Sequence, residues 1–465
     1  MSADRTGPDS SVPLVPPDDR VETRGHQHDS WQVVVPIVAA ASLIAWFRMP
    51  SMVRGWLYAE DGKQFAADWA GADAAGGISV LWTPYAGYEH AIPRLASWFV
   101  TAVLPVSWWG IAINVISCLT VGAVAGLIFV FSRDVVTDLA CRVVIGMITV
   151  LVPITATEAL GNIANLHWFL LYLTPWLLLV TPRTSWGASG IALVAFFSTT
   201  TEPQCAIFLP LVLWRVYGLW RPTDPESRRL MIPVLCGWFL GVAAQVVATF
   251  AAPRGVSGEF PPLASVVQGY VLNAGMTLGT TYRPLLGSVF VRFGWWPGFL
   301  GVAAILALAV LGFVKGRTPE RIALVALLYG SVVSWTASFV LSRNPDFYYS
   351  ELPLEEFASP LYTRWGTAAS MMLAATIPVA VAVLIREYRR RQWIWYAVLG
   401  ALVIALAANL FLDTGPGYGS WAAEVERARA VCATANGSSA GTVELTTPPG
   451  PGWVINLPCP VLTGG

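Results

Sequence analysis

The chain has 465 residues, of which 55% are hydrophobic and 12% charged, and its formal net charge is zero. That balance excludes a soluble globular enzyme and an electrostatic nucleic-acid binder, and repeated apolar runs near twenty residues long predict an all-α polytopic membrane protein. The lipid bilayer is the first expected partner, and no nucleic acid is expected.

Met1–Ser30 has no apolar run and is rich in Pro, Asp, Arg and Ser, so it reads as a disordered cytosolic tail and not as a signal peptide. Apolar runs follow at 31–50, 108–131, 143–157, 166–181, 186–200, 203–219, 230–252, 297–315, 321–342, 366–386 and 393–412, which makes about eleven transmembrane helices. Arginine and lysine gather at Arg133 and Arg142, at Arg221, Arg228 and Arg229, at Lys315, Arg317 and Arg321, and in REYRRRQ at 386–392. The positive-inside rule makes these the cytosolic loops. A cytosolic N-terminus then leaves 51–107, 157–166, 200–203, 253–296, 343–365 and the tail 413–465 outside.

The first of these outer loops concentrates the polarity. WLYAEDGKQF and YAGYEHAIPR supply Glu60, Asp61, Lys63, Tyr85, Tyr88, Glu89, His90 and Arg94 within about forty residues, and a solvated connector is the alternative to a site. A helix over 60–70 would put Phe65 and Trp69 on one face. The segment 91–107, bounded by Pro93 and Pro105 and carrying Arg94, reads as an interfacial helix and not as a further span. As neighbours on a helix, Glu60 and Asp61 point about 100° apart, so one faces a substrate and the other orients, caps or holds an ion. Burial against Trp56, Tyr58 and Trp82 would raise such a carboxyl's proton affinity.

In ATEALGNIANLHWFL, Glu158, Asn162 and Asn165 recur at helical spacing and His167 follows. Their face could grip sugar hydroxyls or cap a helix end. Glu202 reads as a solvated turn, and His90 and His167 as satisfied structural histidines. Arg283, Arg343, Arg364 and Arg94 all fall outside, against the positive-inside trend, and suit either a phosphate or snorkelling at headgroups. Cys432 and Cys459 in the tail suggest a disulfide, with two free thiols as the alternative. No C-x-x-C, H-E-x-x-H or Gly-rich phosphate loop occurs in the sequence.

Taken in order, YAEDGKQF, YAGYEHAIPRLASWFVTAVLP, LGNIANLHWFLLYLTPWLLL and YTRW resemble the GT-C superfamily of integral-membrane glycosyltransferases. The resemblance implies a GT-C-like bundle over 31–412 with outer juxtamembrane helices, a catalytic first outer loop at 51–107 and a small extracytoplasmic tail. It implies Asp61 or Glu60 as the base of an inverting transfer from a polyprenyl-phosphate sugar to an envelope glycan, lipid or protein acceptor. Tyr85, Tyr88, His90, Arg94, Glu158, Asn162, Asn165, His167, Arg283, Arg343 and Arg364 become donor- or substrate-binding candidates. No cofactor is required by the sequence and a divalent cation stays open, because many relatives carry an acid where Asn165 stands. The expected location is the plasma membrane. A flippase or transporter of a lipid-linked sugar, or an assembly protein without an active site, is the competing reading. A flippase should carry polar residues at mid-membrane, where this chain has little beyond Asn114 and Gln245.

Overall fold

The structure is a computed structural model that describes residues 31–71, 77–219, 225–410, 418–434, 441–450 and 452–463. The predicted N-terminal tail Met1–Ser30, Arg221 and Asp413 lie outside the described residues. Each apolar run is mostly helical over its described residues. In chain order the main helices are α1 (Trp31–Arg48), α2 (Ala91–Val103), α3 (Trp109–Phe131), α4 (Leu139–Leu151), α5 (Leu166–Leu179) and α6 (Ser185–Thr201). They continue as α7 (Leu209–Leu219), α8 (Pro225–Ala251), α9 (Leu263–Tyr270), α10 (Arg283–Phe293), α11 (Trp296–Lys315) and α12 (Thr318–Ser342). Last come α13 (Thr367–Glu387), α14 (Gln392–Ala407) and, in the tail, α15 (Trp421–Thr434), β1 (Thr442–Thr446), β2 (Val454–Pro458) and α16 (Cys459–Thr463).

Six described segments are long and apolar enough to cross a membrane: Trp31–Arg48, Val106–Asp134, Arg228–Ala251, Trp296–Lys315, Thr318–Ser342 and Arg364–Glu387. The chain is thus an all-α, multi-pass membrane protein. The other runs make shorter helices. The 14 residues of α5 reach only about 21 Å, against about 30 Å of hydrocarbon, so helix length alone does not establish the eleven crossings that hydropathy suggests.

The packing follows the side chains. α13 is buried on nearly every face and sits among α4, α5, α11, α12 and α14, as expected of a helix that is apolar all round. α8 and α11 instead expose Phe239, Val247, Phe250, Leu300 and Val310, an apolar belt that suits lipid. Asn114 is no exception to the apolar interior in energetic terms, because it accepts from the Gly55 N–H and donates to the Trp56 and Gly161 carbonyls. Gln245 likewise holds the Glu89 backbone at both its N–H and its C=O.

The 13-residue α2, as short as α4, exposes Trp98, Phe99 and Val103 while burying Arg94 and Ser97. That two-faced pattern fits a helix lying along the bundle end. Two further helices, α9 and α10, lie within 253–296, where the apolar pattern predicts no span.

Candidate functional site

Ends of seven helices converge on one end of the bundle. These are the C-terminal ends of α1, α4, α6, α8 and α12 and the N-terminal ends of α5 and α13, and their loops enclose a cavity of about 570 Å³. Its wall includes Glu60, Phe65, Tyr85, Tyr88, His90, Asn165, His167, Trp168, Glu202, Arg254 and Arg364.

The first loop enters through Trp56–Ala59, all buried. Ala59 is left-handed at φ 48°, a conformation that a side chain tolerates only when its surroundings impose it. Glu60 follows, and then a π-helical turn over Asp61–Ala66. The structure separates the two acids. Asp61 is fully buried and lies behind the wall, where its Oδ2 accepts from the Ile163 N–H at 3.0 Å and its Oδ1 from the Ala164 N–H at 2.9 Å. Burial holds its carboxyl well above the usual carboxylate range, against the opposing pull of those two donors. Asp61 therefore ties the second loop to the first, and Glu60 is the acid that faces the cavity.

Arg364 stands one residue into a short turn before α13. Its Nη1 donates to Glu158 Oε1 at 2.6 Å and its Nη2 to Glu60 Oε1 at 3.3 Å. The turn is fixed from below: Thr363 N–H donates to Asn273 Oδ1 at 2.7 Å, and Asn273 donates to the Tyr349 hydroxyl at 3.0 Å. Gly366 is needed there because a Cβ would come within 2.7 Å of the Asn273 Cβ. Three loop segments that are distant in sequence thus meet in one Glu60–Arg364–Glu158 cluster. Glu158 itself sits on a π-helical turn, Thr155–Ala159. Its carbonyl accepts from Asn162 Nδ2 at 2.6 Å and from Asn165 Nδ2 at 3.1 Å. Asn162 is therefore occupied in bracing its own loop, while Asn165 also lines the cavity.

On the facing wall, His167 Nδ1 is hydrogen-bonded to Glu202 Oε2, and Glu202 Oε1 accepts from the Gln204 N–H at 2.7 Å. The solvated turn expected of Glu202 is corrected, since the residue is buried. Sequence spacing gave no hint of a partner 35 positions away. Tyr85 and Tyr88 exchange backbone hydrogen bonds around Ala86 and Gly87, both at positive φ, the pattern of a tight I′-type turn. The turn stacks Tyr88 on His90 at 4.0 Å between ring centres, and Phe65 adds a third ring at 5.3 Å from His90. Burial pushes the Tyr85 and Tyr88 phenols up from their ordinary value of 10.0, so both remain protonated donors. Burial, together with the neighbouring His167 and Arg94, pulls His90 well below its ordinary 6.5, so it stays a neutral imidazole.

Three predicted cations do not line this cavity. Arg94 is buried against Asp68 at 2.7 Å and over the Phe65 ring. Arg283 lies over Tyr362, and Arg343 donates to the Gly258 carbonyl and lies over Phe260. Trp82, expected to shield the acids, is exposed. The cation that sequence reading missed is Arg254, which lines the cavity and makes no ion pair or hydrogen bond with another described residue. The only cue was an arginine in the Gly/Pro-rich stretch APRGVSG. Among the described residues no cluster of three or more His, Cys, Asp or Glu is arranged to hold a metal ion.

A second cavity of about 500 Å³ is lined by α2, α3, α5 and α6, almost wholly with apolar side chains such as Leu95, Phe99, Leu127, Leu170, Leu193 and Phe197. It is continuous with the first in sequence terms: Ile92, Leu170 and Ser198 line it, while His90, Trp168 and Glu202, two to four residues away on the same chain segments, line the polar cavity. Leu193 and Phe99 are half exposed, so the groove opens sideways on the helix surface. A polar, aromatic cavity with two carboxylates, Glu60 and the His167-bound Glu202, two guanidinium groups and an adjoining apolar groove can hold a charged, hydroxylated head joined to a hydrocarbon tail.

The chain matches no protein-family model and no curated protein.

Proposed function

We propose that the chain is a GT-C-type glycosyltransferase that moves a sugar from a polyprenyl-phosphate donor to an envelope glycan, lipid or protein acceptor at the outer face of the plasma membrane. The observation that carries the reading is the placement of Glu60, held by Arg364, in a polar cavity immediately beside an apolar groove. In this reading the donor's hydrocarbon tail lies in the groove between α2, α3, α5 and α6. Its sugar then stacks on the Tyr88–His90 platform, and its phosphate meets Arg254 and Arg364.

The step is an inverting displacement. Glu60 takes the proton of the acceptor hydroxyl, the acceptor oxygen attacks the anomeric carbon, and the bond from that carbon to the phosphate oxygen breaks. The polyprenyl phosphate leaves with the bonding electron pair. Arg254, uncommitted to any described carboxylate, is the group best able to meet the growing phosphate charge, and Arg364 keeps Glu60 aimed while adding to the positive field. Neutral His90 and the protonated Tyr85 and Tyr88 supply hydrogen bonds without competing for the acceptor's proton. No metal-dependent step enters this account; whether a divalent cation assists is part of its test.

Sidedness follows from charge. Arg133, Arg142, Arg228, Arg229, Lys315, Arg317, Arg321 and the Arg389–Arg391 turn all lie at the helix ends opposite the cavity, which the positive-inside rule assigns to the cytosol. With about eleven crossings, the N-terminus is cytosolic and the tail is outside.

The test is purified protein in liposomes with a labelled polyprenyl-phosphate sugar and an envelope acceptor extract, with and without a chelator. Transfer of label to the acceptor, with release of polyprenyl phosphate, is expected. Movement of intact donor between leaflets without transfer would replace this reading with that of a flippase.

A further inference from the structure

The C-terminal segment is built against the loop that carries Glu60. β1 and β2 pair antiparallel from Thr442 with Pro458 to Thr446 with Val454, so the described residues at the tip of this hairpin are 447–450 and 452–453. The Pro448 carbonyl accepts from the Ala59 N–H at 2.8 Å, and the Gly452 carbonyl accepts from Lys63 Nζ at 2.9 Å. Lys63 also lies over the Trp453 ring at 5.2 Å. Gly62 leaves room for Thr447, whose methyl would sit 3.3 Å from a Cβ there. Ala59, Gly62 and Lys63 bracket Glu60 in sequence, so the tip grips the turn on both sides of it.

A second hold lies at the start of α15. Trp421 Nε1 donates to the Val106 carbonyl at 2.7 Å, and Trp56 Nε1 donates to the Gly419 carbonyl at 3.0 Å. The Trp56 ring packs edge-on against both Trp421 and Tyr418, and the Tyr418 hydroxyl returns to the Pro449 carbonyl at 2.6 Å. The two holds are joined by a disulfide between Cys432, near the end of α15, and Cys459, just after β2. A two-stranded hairpin has little stability of its own, and a segment this small buries little core. The covalent link therefore reinforces the Tyr418–Pro449 contact and the hydrogen bonds from Arg427 to the Glu444 carbonyl and from the Thr446 N–H to Glu424, which also join α15 to the hairpin.

We propose that the disulfide-closed C-terminal hairpin is a positioning element for the active turn: it imposes the left-handed Ala59 conformation and thereby keeps Glu60 on Arg364. Pro448, Gly452 and Trp453 act through the turn and do not touch the reacting groups. The link forms in an oxidising compartment, so the turn is set only in a chain whose tail has left the cytosol. The consequence for activity rests on the glycosyltransferase reading; the hold on the turn does not.

The experiment uses the full chain in nanodiscs, before and after reduction of Cys432–Cys459, together with Lys63→Met, which leaves the disulfide and Trp453 in place. Hydrogen exchange of residues 58–63 and of α13 is followed by mass spectrometry, beside the kcat and donor KM of transfer. Loss of one or two hydrogen bonds should speed exchange at 58–63 roughly tenfold, leave α13 unchanged, and lower kcat several-fold at constant donor KM. Lys63→Met should give a smaller change in the same direction, which answers the objection that reduction merely unfolds the chain. Unchanged exchange at 58–63 after verified reduction overturns the hold. Faster exchange with unchanged kcat overturns the positioning role. If the wild type transfers no sugar, the functional reading fails and exchange alone decides the proposal.

Discussion

Replacing Asp61 by Asn separates structure from chemistry at the acidic pair. Asp61 is fully buried, and each of its oxygens accepts one backbone N–H, from Ile163 and from Ala164. Burial raises its proton affinity while the two N–H donors oppose that shift, and the substitution replaces one accepting oxygen by a donor. The amide nitrogen cannot accept, so one of the two buried N–H groups loses its partner and faces another donor. Such a loss destabilises by about 1–3 kcal/mol, well beyond the ~0.5 kcal/mol expected of a neutral surface change. The assay is equilibrium unfolding in detergent with hydrogen exchange of residues 160–166, and transfer normalised to folded protein. The expected result is lower stability, faster exchange at Ile163 and Ala164, and transfer per folded molecule within a few-fold of wild type. An Asp61→Asn protein as stable as wild type but devoid of transfer would refute the reasoning and make Asp61 the base.

Arg254→Gln removes a cation that has no described partner, so it should raise donor KM by about tenfold or more without changing stability, and unchanged donor kinetics would dismiss Arg254 as a surface charge. Leu170→Trp or Phe197→Trp should fill the apolar groove and weaken use of long-chain donors while sparing short-chain analogues; equal loss for both would place the tail elsewhere. His90 has its proton affinity depressed in the folded state, so the unfolded chain binds more protons between that lowered value and the ordinary 6.5. Stability from this group is complete above about pH 6.5 and is lost on acidification below it. His90→Asn should remove that part of the acid loss, which unfolding midpoints of the two proteins at pH 7.5 and pH 5.5 will measure.

What could be read in the sequence was whatever local spacing encodes. The apolar runs, the 13-residue α2 with its Pro boundaries and the Cys432–Cys459 pair all follow from hydropathy, breakers and compartment. The polar loop around Glu60 and Arg364 at the start of a late apolar run were visible as departures from an apolar background. Their meeting with Glu158 was not, because it depends on how α1, α4 and α13 pack. The same gap explains Glu202, which reads as a turn residue until α5 brings His167 to it, and Arg94, whose burial by Asp68 and Phe65 is set by the fold of the first loop on α2. Glu60 and Asp61 are indistinguishable in sequence; the approach of the Ile163 and Ala164 amides assigns one to the wall's interior and the other to the cavity. α9 and α10 were missed because Gly, Pro and Thr interrupt their apolar pattern across 253–296.

The most direct measurement is the transfer rate of Glu60→Gln against wild type in liposomes, with donor binding and folding measured on the same samples. Glu60 is partly exposed, and Arg364 keeps Glu158 as its closer partner, so folding and donor affinity should be little changed. Transfer should fall by about 10²–10⁴-fold through loss of the general base. A Glu60→Gln protein that folds, binds donor and transfers sugar at the wild-type rate would contradict the account.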